Sequence, residues 1–331
     1  TRQPGSTFKI VSTYAPALNE KGMTLATTFE DEPYEYPDGS PVNNATRSYN
    51  GTTTIRTAIQ NSINVVAVKC FEEVTPDLGL KYLDNFGFTT LAHGTEADTD
   101  ANGNVWSDAN LATALGGITN GVTNVELCAS YAAIANGGNY IKPIYYTKIL
   151  DHNGNVLIEN TSAERSVIKE STAYLLTSAM EDVVKKGTGT ACQLDNMAVA
   201  GKTGTTSLNK DGWFCGYTPY YTTAVWVGRD DNRIMESLSG ASYPKSIWSN
   251  FMNAIHSEYS STDSMGGKYT DYQGETTQQT GTQATTATES STKGTEATTA
   301  APTTAAPTTA APTTAAPTTA APTTAAPQPE E

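Results

Sequence analysis

The stretch AVAGKTGTTSLNKDGWFCGYTPYYTTAVWVG, residues 198–228, decides the fold. Residues 198–205, 213–217 and 222–228 read as three consecutive β-strands, rich in β-branched and aromatic side chains and bounded by Gly, Asn, Asp and Pro. The turns between them are short, which predicts antiparallel pairing. Downstream, Pro244 and Lys245 open a closing helix over residues 246–259, with Ile247, Trp248, Phe251, Ile255 and Tyr259 on one face. Upstream, residues 171–186 form an amphipathic helix that Gly187 stops. Lys185 and Lys186 sit in its last turn, where the helix dipole favours cations.

Nearer the start, helices dominate. Thr123-Asn124-Val125-Glu126 is a capping box that opens an apolar helix stopping at Asn136-Gly137-Gly138. Residues 140–150 and 155–158 are β-like around the turn Asp151-His152-Asn153-Gly154. Residues 54–60 and 63–74 are helical runs joined at Asn61-Ser62, and residues 78–86 are another. Residues 6–19 read as one helix ending near Gly22, with a kink at Pro16. Helices in the middle, then strands and a closing helix, predict a mixed α/β (α+β) fold and not a doubly wound sheet.

The chain has 331 residues and a net charge of −14. Residues 261–331 carry 7 of the 34 acids, 2 lysines, no arginine and 7 of the 16 prolines. Residues 298–327 are six copies of Thr-Thr-Ala-Ala-Pro. Such a segment buries too little apolar surface to offset its ordering entropy. Two regions are therefore expected: a globular domain over 1–260, and a disordered tail over 261–331 that suits a glycosylated stalk threading a cell wall. The acidic balance, with no basic run, argues against nucleic acid as a partner. No run of about 18 apolar residues is present. His93, His152 and His256 form no ligand spacing, the cysteines form no CxxC pair, and no metal or cofactor is expected. Cys70 and Cys128, in apolar helical runs, read as buried free thiols. The chain starts at Thr1 with no lead-in to its first helix, so any targeting segment is expected upstream.

Three short motifs carry chemistry. Ser6-Thr7-Phe8-Lys9 places a serine and a lysine on one helical face. A helix N-terminus favours developing negative charge on the serine oxygen. The same field, with burial, lowers the lysine pKa, so that a neutral amine can take the serine proton without a histidine. Ser62-Ile63-Asn64 sits at a break between helices, where Ser62 can pass a proton and Asn64 can hold a substrate amide or the lysine. Lys202-Thr203-Gly204-Thr205 lies on a strand. There Gly204 lets a ligand backbone lie against the strand, Lys202 offers a fixed cation, and Thr203 and Thr205 offer hydroxyls to a carboxylate. Taken singly, the first is better read as an N-cap serine with a solvated lysine, and the second at least as well as a cap of the helix beginning at Ile63. Gly201-Lys202-Thr203 is not a phosphate loop, because position 196 is Asn where that motif needs Gly.

Together and in this order, the three resemble the motif set of penicillin-binding proteins and serine β-lactamases. Pro4-Gly5-Ser6-Thr7-Phe8-Lys9, Ala200-Gly201-Lys202-Thr203-Gly204-Thr205-Thr206 and Asp211-Gly212-Trp213-Phe214-Cys215-Gly216-Tyr217-Thr218-Pro219 resemble class A penicillin-binding proteins in particular. Leu115-Gly116-Gly117, residues 131–138 and Gly187-Thr188-Gly189-Thr190 look like further landmarks of that family. The resemblance covers about residues 1–259. It implies a five-stranded antiparallel sheet packed by helices beside a helical subdomain. The first two strands, a glycosyltransferase domain and a membrane anchor are expected upstream of Thr1, which would leave the edge of residues 222–227 unpaired.

The implied activity is a peptidoglycan D,D-transpeptidase at the extracytoplasmic face of a bacterial membrane. Ser6 would be the nucleophile and Lys9 its base, with Ser62 relaying the proton under the orientation of Lys202. Asn64 would bind the stem peptide, Thr203 and Thr205 its terminal carboxylate beside Gly204, and the N–H groups of Ser6 and Thr205 the oxyanion. β-Lactams would trap the acyl form. The alternatives are a serine β-lactamase, for which no deacylating ExxLN segment is found, and a non-catalytic penicillin-sensing or wall-binding module.

Overall fold

The computed structural model describes residues 1–195 and 197–259; the Thr/Pro tail expected over 261–331 lies outside the described residues. The chain opens with a 3-10 turn, Gly5–Thr7, then a wide π-helical segment, Ile10–Tyr14, then α1, Ala15–Asn19. The single helix expected over 6–19 is thus three geometries in series. Pro16 supplies the reason. It has no N–H to return to the preceding turn, and the wide turn before it bonds Ala15 N–H back to the Ile10 carbonyl.

Next come β1 (Thr28–Asp31), β2 (Tyr34–Glu35), β3 (Pro41–Val42) and β4 (Gly51–Thr54), then α2 (Ile55–Asn61), α3 (Asn64–Val74), α4 (Pro76–Asn85) and α5 (Asn124–Ala135). The capping box of α5 forms as the sequence indicates: Thr123 Oγ1 accepts from Glu126 N–H, and Glu126 accepts from Thr123 N–H. β5 (Asn139–Ile141), β6 (Lys148–Leu150), β7 (Val156–Glu159) and β8 (Glu164–Ser166) follow, then α6 (Glu170–Lys186), β9 (Ala200–Thr205), β10 (Asp211–Tyr217), β11 (Thr222–Gly228) and α7 (Tyr243–Ile255). The β-like run at 140–150 is split: β5 pairs with β8, whereas β6 pairs with β7 across the expected turn. Pro143 lies in the segment that separates β5 from β6.

β9, β10 and β11 form one antiparallel sheet with β10 in the middle. Every residue of β10 is buried, because it is paired on both edges and covered on both faces. The period-two alternation of a strand sorts its side chains. Trp213, Cys215 and Tyr217 enter the main core, while Phe214 enters a second cluster with Val184, Cys192, Trp248 and Met252. Phe214 and Trp248 meet edge to face, centroids 5.1 Å apart. α7 therefore closes one face of the sheet, α5 packs on the other, and α6 packs on β9.

Among the described residues β11 is an outer strand with no strand on its far side, as expected, and a side chain of α5 meets one carbonyl of that edge. The Cys128 thiol of α5 donates to the Thr222 carbonyl at 3.6 Å. Cys128 is accordingly only half-buried, whereas Cys70 is buried as expected; all four cysteines are free thiols. No helix among the described residues is long and apolar enough to cross a membrane, and no cluster of three or more His, Cys, Asp or Glu side chains there could hold a metal ion.

Candidate active site

Glycines bring the first and third motifs together. Gly5 has φ +56°, a left-handed conformation that favours glycine, and a Cβ there would lie 2.9 Å from the Thr205 carbonyl oxygen. Gly204 answers from β9: a Cβ on it would lie 2.7 Å from the Pro4 carbonyl oxygen and 2.9 Å from Thr7 Cγ2. The space cleared by Gly204 is thus filled by the chain's own Ser6 turn and not left for a ligand backbone, which corrects the expectation from sequence. Thr7 Oγ1 donates to the Pro4 carbonyl at 2.7 Å, and Tyr131 of α5 donates to the Thr7 carbonyl at 2.7 Å. Gly116 packs against the backbone of Gly5. Ser6, half-buried, is held on this turn at the rim of β9.

The second motif sits where α2 gives way to α3. Ser62 adopts the left-handed conformation (φ 58°, ψ 39°) and does not cap α3, whose cap residue is Ile63. For a residue other than glycine this costs about 1–2 kcal/mol, and the partners of its hydroxyl account for its retention. Lys202 Nζ donates to Ser62 Oγ at 2.7 Å, and Lys9 Nζ lies 3.4 Å from the same oxygen. Lys9 Nζ also donates to the Ser62 carbonyl at 2.7 Å and to Asn64 Oδ1 at 2.6 Å. Lys202 Nζ makes a further bond to the Thr203 carbonyl at 3.1 Å. Lys9, Ser62, Asn64 and Lys202, spread over 194 residues of sequence, therefore form one hydrogen-bonded cluster, and Lys9 follows Ser6 by three residues.

Both lysines are fully buried, and every hydrogen-bond partner they have is neutral. Burial, and then the neighbouring charge of Lys202, holds the Lys9 pKa well below its ordinary value. Burial alone brings Lys202 down to about 7. A neutral Lys9 spends its two hydrogens on the two short bonds, to Ser62 O and Asn64 Oδ1, and keeps a lone pair for an incoming proton.

The threonines lie on the other face of β9. Thr203 Oγ1 shares a hydrogen bond with Thr188 Oγ1 at 2.7 Å, and Thr205 Oγ1 accepts from Gly240 N–H at 2.8 Å, which leaves the Thr205 hydroxyl hydrogen available to donate. Thr206 N–H pairs with the Asp211 carbonyl of β10. Strand alternation then turns Thr205 N–H towards the outer edge of β9. Tyr131, Gly116 and Thr188 stood out in the sequence only as landmarks; their roles at the Ser6 turn and at Thr203 depend on contacts that spacing does not carry.

Residues 1–253 match the family of the penicillin binding protein transpeptidase domain. Penicillin-binding protein 1A of Clostridium botulinum is 32% identical over 264 residues, covering 77% of this chain and 30% of that protein. Penicillin-binding protein 1F of Bacillus subtilis is 34% identical over 258 residues, covering 76% and 34%. The chain thus spans about a third of the length of these curated relatives. Among solved structures, penicillin-binding protein 1A from Haemophilus influenzae superposes with a TM-score of 0.65 at 25% identity, over 78% of this chain and 42% of that one. The PonA1 protein of Mycobacterium tuberculosis in complex with penicillin V gives 0.66 at 25% identity, over 78% and 70%. The glycine-locked serine turn, the paired buried lysines and these matches lead to one assignment: the chain belongs to the family of penicillin-binding protein transpeptidase domains.

Proposed function

We propose that this chain is a D,D-transpeptidase that cross-links peptidoglycan stem peptides through an acyl-enzyme on Ser6, and that β-lactams trap that acyl-enzyme. The observation that carries this reading is the convergence of two buried lysines on one serine hydroxyl, Lys202 at 2.7 Å and Lys9 at 3.4 Å. In acylation, Ser6 Oγ bonds to the carbonyl carbon between the two terminal D-alanines, and its proton passes to Lys9 Nζ. The N–H groups of Ser6 and Thr205 receive the oxyanion. Collapse breaks the C–N bond, and D-alanine leaves with a proton handed from Lys9 through Ser62 Oγ, which Lys202 orients. An amine of a second stem then attacks the ester carbonyl, and Ser6 regains its proton. The hydroxyls of Thr203 and Thr205 bind the terminal carboxylate.

A serine β-lactamase also needs a base for deacylation. Among the described residues, the hydrogen-bond partners of Lys9, Ser62 and Lys202 include no carboxylate, which favours transfer to an amine over rapid hydrolysis. The expected place of action is the extracytoplasmic face of the membrane, with an anchor and a glycosyltransferase domain belonging to the longer protein and residues 261–331 threading the wall. The test is a donor peptide ending in D-alanyl-D-alanine, offered with and without an amine acceptor. Release of D-alanine with formation of the cross-linked product supports the reading. Penicillin turnover many times over, with no cross-linked product, favours a β-lactamase, and no reaction with either substrate favours a non-catalytic module.

A further inference from the structure

Helix α3 begins at Asn64, and its cap residue Ile63 has no side-chain acceptor for the open N–H groups of the first turn. Those of Asn64 and Val65 donate instead to Asn44 Oδ1, at 2.9 and 3.2 Å. Asn44 is 4% exposed, and its other end fixes its orientation. Asn44 Nδ2 donates to Asp31 Oδ1 at 2.7 Å and to the Ser48 carbonyl at 3.0 Å, so only Oδ1 can face the helix. Asp31 is 1% exposed and is held in turn by Asn50, whose N–H and Nδ2 donate to Oδ2 at 2.9 and 2.8 Å. The adjacent Asn43 takes the side chain of Asn64: its carbonyl accepts from Asn64 Nδ2 at 2.6 Å. That leaves Asn64 Oδ1 aimed at Lys9 Nζ, 2.6 Å away.

We propose that Asn44, keyed by Asp31, is a positioning residue for the acyl transfer: it fixes the first turn of α3 so that Asn64 Oδ1 holds the Lys9 amine in register with Ser62. The inference rests on the acyl-transfer reading above. The chemistry explains the residue type. The position needs an acceptor towards α3 and a donor towards Asp31, and an amide of this length supplies both. Aspartate would set a second carboxylate against Asp31, and alanine would leave buried groups unpaired at both ends. The Asp31 carboxylate itself stays outside the cluster of reacting groups, two hydrogen-bonded residues away from Lys9.

The test uses the full chain and a fluorescent penicillin, with rapid mixing to separate the affinity of the non-covalent complex from the acylation rate constant. Asn44→Ala should lower the rate constant by ~10- to ~100-fold, as sub-ångström misplacement of a reacting group does, with the affinity unchanged. The acid limb of its rate–pH profile should also move up, since a loosened cavity admits water around Lys9. A structural cap alone would lower the melting temperature and move neither readout. Asn44→Asp should be slow too, and Asp31→Asn combined with Asn44→Asp, which restores a donor–acceptor pair, should regain at least half of the lost logarithm of rate. A folded Asn44→Ala with an unaltered rate constant and profile overturns the inference. If Asn44→Ala does not fold, equal rates in Asn44→Asp and the double variant overturn it. Absence of acylation in the unaltered chain overturns the transfer reading and this inference together.

Discussion

Gly204→Ala tests the interlock between the serine turn and β9. The new Cβ would lie 2.7 Å from the Pro4 carbonyl oxygen, about 0.7 Å short of an ordinary contact, and 2.9 Å from Thr7 Cγ2. The Thr7 methyl belongs to a side chain and can yield, but Pro4 O is backbone, so relief requires the whole Ser6 turn to back away from β9. Ser6 N–H and Thr205 N–H, the two donors assigned to the oxyanion, then separate by up to about the same 0.7 Å. Overpacking of this kind costs roughly 1–3 kcal/mol in stability. Weakening one oxyanion donor costs up to ~100- to ~1,000-fold in rate when it is lost outright, so a partial displacement should slow acylation by ~10- to ~100-fold. The assay is the acylation rate with fluorescent penicillin, measured well below the melting temperature of the variant. An acylation rate within twofold of the unaltered chain, in a folded variant, would show that Gly204 does not set the position of Ser6.

The remaining predictions concern the lysines, the sheet edge and the tail. Lys9→Arg should nearly abolish acylation, since arginine cannot deprotonate, whereas Lys202→Arg should keep part of the rate; equal losses would refute the separate roles. Because burial and the charge of Lys202 lower the Lys9 pKa, acylation should keep its rate well below the ordinary lysine pKa of 10.5 and fall only as acid protonates Lys9; a rate that rises only near 10.5 would refute a lowered Lys9 pKa. Because the folded pKa values lie below the ordinary 10.5, the unfolded chain binds more protons above pH 7. The stability lost to burying Lys202 is therefore full below about pH 7 and is recovered as pH rises towards 10.5; Lys202→Met should flatten that rise in melting temperature. Ala224 N–H, on the outer edge of β11, should exchange faster than Val225 N–H, which faces β10, and equal protection of the two would show that another element covers that edge. Deleting residues 261–331 should leave the melting temperature and acylation rate unaltered, because that composition forms no core.

The strands of residues 198–228 were legible because their alternation and turns are local, and β10 answers the pattern with Trp213, Cys215 and Tyr217 on one face and Phe214 on the other. The two lysines and Ser62 were legible as motifs. Their meeting point was not visible in spacing, since it depends on the left-handed Ser62 and on two glycines that let separate backbones touch. β1 and β4 escaped notice because Thr28–Asp31 and Gly51–Thr54 are short, largely polar segments whose pairing is non-local. The outer-strand position expected for residues 222–227 is where β11 lies among the described residues; what spacing did not show is that Cys128, apolar-looking in the sequence of α5, donates to the Thr222 carbonyl on that edge. Asn44 was invisible for a related reason: it caps a helix 20 residues away, beyond the reach of any local capping signature.

The central claim is that Ser6 is the covalent nucleophile. Incubating the full chain with penicillin, digesting it and mapping the added mass measures this directly. A single penicilloyl mass on the peptide containing Ser6, absent from Ser6→Ala, is the expected result. Label on another serine, or undiminished label in Ser6→Ala, would contradict it.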